Sequence, residues 1–296
     1  MNAPGAPPLQ VTTDQAPADS RWAASLDLRF AAREGATIPT LRAHRGPLRV
    51  QKGFTPEGPG LWHQVIVHPP GGIASGDSLD MRIEAGEGAR ALLTSPGAAK
   101  WYRSNPHRSD PWARQSLKLQ VARGASLEWL PLESIVFAGA HASWQTDIDL
   151  DAGGSAIVAD LVCLGRPAAG ELFESGEIRW RTNLRRSGRL VFHEQVCLAG
   201  GSEALGAAAG LAGQSAFASL LIAPRHASTS AVVDRIRAEL AEMPGDWAVT
   251  GLTDLAVLRW RGPGAEVGWR VLRAAWASCR PLVIGREACP PRIWAT

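Results

Sequence analysis

Lysine is almost missing from this 296-residue chain. Only Lys52, Lys100 and Lys118 occur, so nearly all of the 31 cationic residues are arginines. The net charge of +3 and pI near 8.9 are mildly basic. They lack the concentrated basic face of a nucleic-acid binder. Cysteine is scarce as well. Cys163, Cys197, Cys279 and Cys289 lie far apart with no CxxC pair, which excludes a zinc-ribbon type of site and a disulfide framework and points to a reducing, cytoplasmic setting. No apolar run approaches the roughly 18 residues that span a bilayer. Residues 1–20 have neither a charged n-region nor an apolar h-region; they read as a disordered Pro/Ala-rich tail rather than a signal peptide. The phosphate-binding pattern GxxxxGK[ST] and the nucleophile elbow GxSxG are both absent. Gly86-Glu87-Gly88-Ala89-Arg90-Ala91 matches a loose dinucleotide pattern, but Arg90-Ala91-Leu92-Leu93-Thr94 reads as strand, where that pattern needs a helix.

What the chain does have is alternation. Leu79, Met81 and Ile83 share one strand face, as do Leu117, Leu119 and Val121. Gly-centred turns follow such runs at Gly86–Gly88, Gly124, Gly153–Gly154 and Ser187–Gly188. Each is flanked by strand-like sequence and reads as a hairpin, and their spacing of roughly 30–36 residues suggests a solenoid-like array. Two helices are predicted, over Ser228 to Glu242 and over Ala265 to Cys279, the second ended by Pro281. Trp269 and Trp276 lie on one side of the second helix and suit core packing. Residues 199–213 are low in complexity and read as a flexible connection or a segment ordered by a partner. The predicted fold is mainly β, an elongated stack of antiparallel hairpins or sheets, β-helix- or sandwich-like, with two helices near the C-terminus. Residues 21–296 form a single domain with its helical element at about 228–279.

The most shaped segment is His68-Pro69-Pro70-Gly71-Gly72 running into Ser75-Gly76-Asp77. Proline fixes φ and glycine permits positive φ, so the segment is a rigid turn carrying an imidazole and a carboxylate. Asp77 there is either a turn cap or a functional acid. The seven histidines form no cluster, so nothing makes a tight transition-metal site.

Six segments, in order, resemble one family, the urease accessory protein UreD, also called UreH. They are Gly46-Pro47-Leu48-Arg49-Val50-Gln51-Lys52, the His68–Asp77 turn, and Thr94-Ser95-Pro96-Gly97-Ala98-Ala99-Lys100-Trp101-Tyr102-Arg103-Ser104. Then come Leu127-Glu128-Trp129-Leu130-Pro131 with Glu133, Cys163-Leu164-Gly165-Arg166-Pro167 with Glu171, and the terminal Pro291-Arg292-Ile293-Trp294. Ser75, Leu132 and Ala138 depart from the family's usual residues. The resemblance implies a mainly β scaffold without catalysis of its own. It implies binding of the urease apoprotein with a helical UreF-like partner, recruitment of a UreG-like GTPase, and nickel passing toward the urease active site, with no nucleic acid and no membrane involved.

A protein that passes nickel on must hold it weakly, and carboxylates with bound water do so better than thiolates or clustered imidazoles. Asp77, Glu133 and Glu171, with His68, are the expected transient nickel ligands; no tightly bound cofactor is expected. Arg292, Ile293 and Trp294 are the expected partner anchors, Trp and Arg being typical of binding hot spots. The competing readings are a β-rich carbohydrate-active hydrolase, with Asp77 and Glu133 as its acid and base, and a binding module without chemistry.

Overall fold

Strands dominate because apolar residues recur at every second position, and each strand buries one or both faces. The structure, a computed structural model, describes residues 21–225 and 227–295. The Pro/Ala-rich tail of 1–20 lies outside the described residues. In chain order the strands are β1 Ala23–Arg33, β2 Ala36–Arg45, β3 Arg49–Val50, β4 Trp62–Val67, β5 Ser78–Ala85, β6 Arg90–Thr94, β7 Ala99–Trp101, β8 Trp112–Val121 and β9 Ser126–Trp129. They continue as β10 Ser134–Val136, β11 His141–Leu150, β12 Ser155–Leu164, β13 Glu177–Arg186, β14 Arg189–Ala199, β15 Ala216–Ala223, β16 Asp246–Gly251 and β17 Ala256–Gly262. The helices are α1 Glu203–Gly206, α2 Thr229–Leu240 and α3 Ala265–Ile284.

Two sheets face each other. One runs β14-β13-β11-β8-β5-β1-β2, the other β16-β17-β15-β12-β9-β6-β4-β3, with β10 and β7 attached to the second. The mainly β stack with helices near the C-terminus is as read from the sequence, but three of the four glycine turns do something other than close hairpins. The turns after β5, β8 and β11 carry the chain from the first sheet to the second, so each successive pair is an arch. Arches stack in parallel: β5 pairs β8 and β8 pairs β11 in one sheet, β6 pairs β9 and β9 pairs β12 in the other. The turns themselves stack, Gly88 N donating to Arg123 O and Gly124 N to Gly153 O, both at 3.2 Å. Of these four, Ser187–Gly188 alone closes a hairpin, β13 to β14, with both residues at positive φ as a type I′ turn requires.

Between the sheets lies the larger core. Along β12, Ala156, Val158 and Val162 face the first sheet, and Ile157, Ala159 and Leu161 face the helices. A row of rings crosses the inter-sheet core: Trp101 to Trp144 at 5.5 Å, Trp144 to Trp180 at 6.0 Å, and Trp180 to Phe217 at 5.2 Å. The helices cover the outer face of the second sheet. α2 buries Val232, Val233, Ile236 and Leu240, and Ser228 caps it by accepting from Ala231 N. Trp269 and Trp276 on α3 are buried, as predicted. Pro281 does not end α3. The helix runs through it to Ile284 and stops at Gly285, φ 73°. The 199–213 segment contains α1, and Leu205 and Leu211 pack on the inter-sheet core.

Candidate functional site

Two motif segments are sewn together at one end of the stack. Ile73 N donates to Lys100 O at 2.7 Å and Tyr102 N to Ile73 O at 2.9 Å. Gly72 lets the Tyr102 ring lie against the backbone there, since a Cβ at that position would lie 2.1 Å from the ring and displace it. Behind this seam is a cavity of about 340 Å³ reaching in between the sheets. Its walls include Trp101, Trp129 and Trp144, and its polar lining includes His68, Lys100, Gln115 and Asp160. Among the described residues no three His, Cys, Asp or Glu side chains gather as a metal-holding group.

Asp160 sits mid-strand in an otherwise apolar β12, on the face that looks between the sheets. Burial pushes its carboxyl up to about 7, the nearby negative charge of Glu194 adds to this, and Arg259 opposes it. Glu194 and Arg259 are ion-paired at 2.6 Å and line a second, more open cleft of about 560 Å³ with Trp180 and Phe217. The two hollows share the ring row: Trp144 walls the first and Trp180, stacked on it, walls the second. His68 adds an imidazole whose Nε2 is buried without a hydrogen-bond partner among the described residues. Burial lowers its pKa, with the Asp77 charge opposing, so it stays neutral and able to ligate. Asp160, His68 and Gln115 thus all line the one cavity.

The other residues singled out from the sequence stand elsewhere. Asp77 is buried and caps a turn, its Oδ1 accepting from Trp22 N at 3.0 Å and its Oδ2 from Ala74 N at 2.9 Å. Glu133 accepts from the Trp269 indole at 2.8 Å. Glu171 accepts from Ala138 N at 2.8 Å and pairs with Arg166; the Ala138 N–H comes first among the causes that lower its pKa, ahead of the Arg166 guanidinium. None of the three lines the cavity, so they do not form a shared row of cation ligands there. Nor does either Asp77 or Glu133 line the second cleft. At the C-terminus Arg292 is exposed, but Trp294 is half-buried against Trp269 and Trp276 and donates to Thr94 Oγ1 at 2.8 Å. Its indole is committed to this fold rather than held out as an exposed anchor.

Asp160 was the residue that motif reading passed over. Its signal is a lone acid at an inward position of an apolar strand. A second buried polar group was also missed. Arg280, fully buried on α3, pairs with Glu128 at 3.0 Å and with Glu57 at 2.8 Å, and Glu57 pairs with His63 at 2.7 Å. Trp276 Nε1 donates to the same Glu128 carboxylate. Burial alone would raise the Glu57 pKa, but the hydrogen bonds and charges of His63 and Arg280 win and hold it at about 2.

Comparison with known proteins agrees with the motif reading. A family model described as UreD urease accessory protein matches residues 23–295. The chain is 43% identical over 300 residues to the urease accessory protein UreD of Nitrosococcus oceani, covering 99% of this chain and 96% of that one. It is 44% identical over 275 residues to the protein of the same name from Pseudomonas fluorescens Pf0-1, covering 93% and 95%. The protein of that name from Pseudomonas aeruginosa PAO1 is 44% identical over 282 residues, with the same coverage.

Proposed function

Since the chain belongs to the UreD family of urease accessory proteins, and so serves urease maturation without being an enzyme itself, we propose that it works as a scaffold which passes nickel through the space between its two sheets. The observation that carries this reading is Asp160, a carboxyl set in an apolar wall between two hollows, with His68 on one side and the Glu194–Arg259 pair on the other. A cargo ion needs ligands that release it, and isolated carboxylates with water do that. Asp160 titrates near 7, so taking up a divalent cation there displaces a proton, and uptake weakens as pH falls below that value.

The partners in this reading are the urease apoprotein, a UreF-like helical protein and a UreG-like GTPase. Exposed arginines, Arg292 among them, suit such contacts. The cytoplasm is the compartment proposed, and four free cysteines support it. No helix of the described chain is long and apolar enough to cross a membrane.

The test is co-expression of the urease subunits and the other accessory proteins with and without this chain. Urease purified without it is expected to hold little nickel and show little activity. Fully nickel-loaded urease in its absence would overturn the reading.

A further inference from the structure

We propose that Arg90, Arg225 and Arg286 form a binding site for a phosphoryl anion at the arch-turn end of the second sheet, on the side toward the helices. Many of the arginines that the fold orders are matched by a carboxylate. Arg29, Arg114, Arg166, Arg179, Arg189, Arg259, Arg261 and Arg280 all meet one within 4.0 Å. These three have no carboxylate within that distance among the described residues although all are half-buried, and unlike the other arginines in that position, such as Arg186 and Arg273, they stand close to one another.

Backbone contacts bring them together. Arg90 opens β6, directly in register with Ser126 at the start of β9, which is in register with Ser155 at the start of β12. Arg225 follows β15 and donates Nη1 to Gly124 O at 2.8 Å, two residues before Ser126. Arg286 follows α3 and donates Nη1 to Glu57 O at 2.8 Å. Its Nη2 lies beside Gly60, whose carbonyl accepts from Thr37 Oγ1, which in turn accepts from Arg90 N at 3.0 Å. The Nε atoms of Arg225 and Arg286 are buried with no hydrogen-bond partner among the described residues. Burial, then the charges of Arg286 and Arg225, lower the Arg90 pKa, as three close cations without a counter-ion must.

Arg225 and Arg286 each spend a single N–H on a carbonyl and Arg90 spends none among the described residues, so the forks stay available. A phosphoryl dianion offers several oxygens to planar forks and neutralises two charges at once, where one peptide carboxylate neutralises one. Ser126 and Ser155 put hydroxyls in the same cross-strand row. The site is apart from both inter-sheet hollows, so it is separate from the cargo path proposed above.

Equilibrium dialysis of the full-length chain against radiolabelled inorganic phosphate, and against ATP, tests the proposal at an ionic strength held constant with sodium chloride. One phosphate per chain is expected, with affinity reduced tenfold or more in Arg225→Gln and in Arg90→Gln and unchanged in the distant Arg166→Gln. Arg90 makes no side-chain hydrogen bond among the described residues, so Arg90→Gln is expected to keep the fold and keeps the test usable if Arg225→Gln unfolds. Binding of ATP without inorganic phosphate, lost in the same variants, would assign the phosphoryl group to a larger ligand. No saturable binding of either, or binding that Arg90→Gln leaves untouched, would overturn the site.

Discussion

Arg280 concentrates more electrostatic consequence than any other side chain here. It has no exposed surface, yet its charge is matched by Glu128 and Glu57 on both sides. Burial alone would lower its pKa, but the two carboxylates push it up. Removing it leaves Glu128 with the Trp276 indole and Glu57 with His63, two buried acids without their shared cation. Arg280→Met is therefore expected to cost about 3–5 kcal/mol, read as a lower urea midpoint with an unchanged slope. Glu57 adds a pH signature. Its folded pKa is below its unfolded value, so its stabilisation is complete above about 4.5 and is lost as pH falls toward about 2. Glu57→Gln should lose stability at pH 7 and show a flatter acid-unfolding profile in that window. A Gln variant with the parental acid profile would contradict the pairing. At this scale the sequence was only partly legible. Asp77 could be read as a turn cap because one of its partners, Ala74, is local, while the other, Trp22, lies 55 residues away. Glu128 and Arg280 are 152 residues apart, and no local pattern announces such a pair.

Among elements, the turns and helix ends decide most. Gly285 and Gly165 both have positive φ, but they differ in their surroundings. A Cβ on Gly285 meets nothing within 4 Å, while one on Gly165 would lie 2.4 Å from Glu171 O. Gly285→Ala should therefore cost about 1 kcal/mol, the conformational penalty alone. Gly165→Ala should cost roughly 2–3 kcal/mol, because the backbone must also shift. Equal losses in thermal unfolding would contradict this. The terminal Trp294 is a third case. Trp294→Ala is expected to cost about 2 kcal/mol, below the range for a fully buried indole, and no loss of stability would show that the tail does not hold in the way described. Strand positions and the faces they bury were readable because alternation reports burial directly. Pairing was not. Glycine turns look alike whether they close a hairpin or carry the chain between sheets, so the arches after β5, β8 and β11 could not be told from the hairpin after β13. Pro281 misled for a related reason: the run of Val283 and Ile284 buried against the second sheet continues the helix past it.

At the scale of the whole molecule, three layers create one interior that is not wholly dry. Helices on the second sheet leave the first sheet's outer face to solvent, and the inter-sheet core keeps two hollows on either side of a ring row. Asp160 stands where they approach. The family was legible from six ordered motifs, because motif residues such as Gly72 are fixed by close contacts. The cavity was not, because its lining comes from strands throughout the chain. The most direct measurement is the nickel content of urease matured by an Asp160→Asn variant, with recovery of the urease-bound complex measured alongside. Asparagine keeps the shape and removes the charge. The account predicts an intact complex and nickel content reduced several-fold, while Glu171→Gln loads normally. Full nickel loading by Asp160→Asn in an intact complex would contradict a cargo path between the sheets.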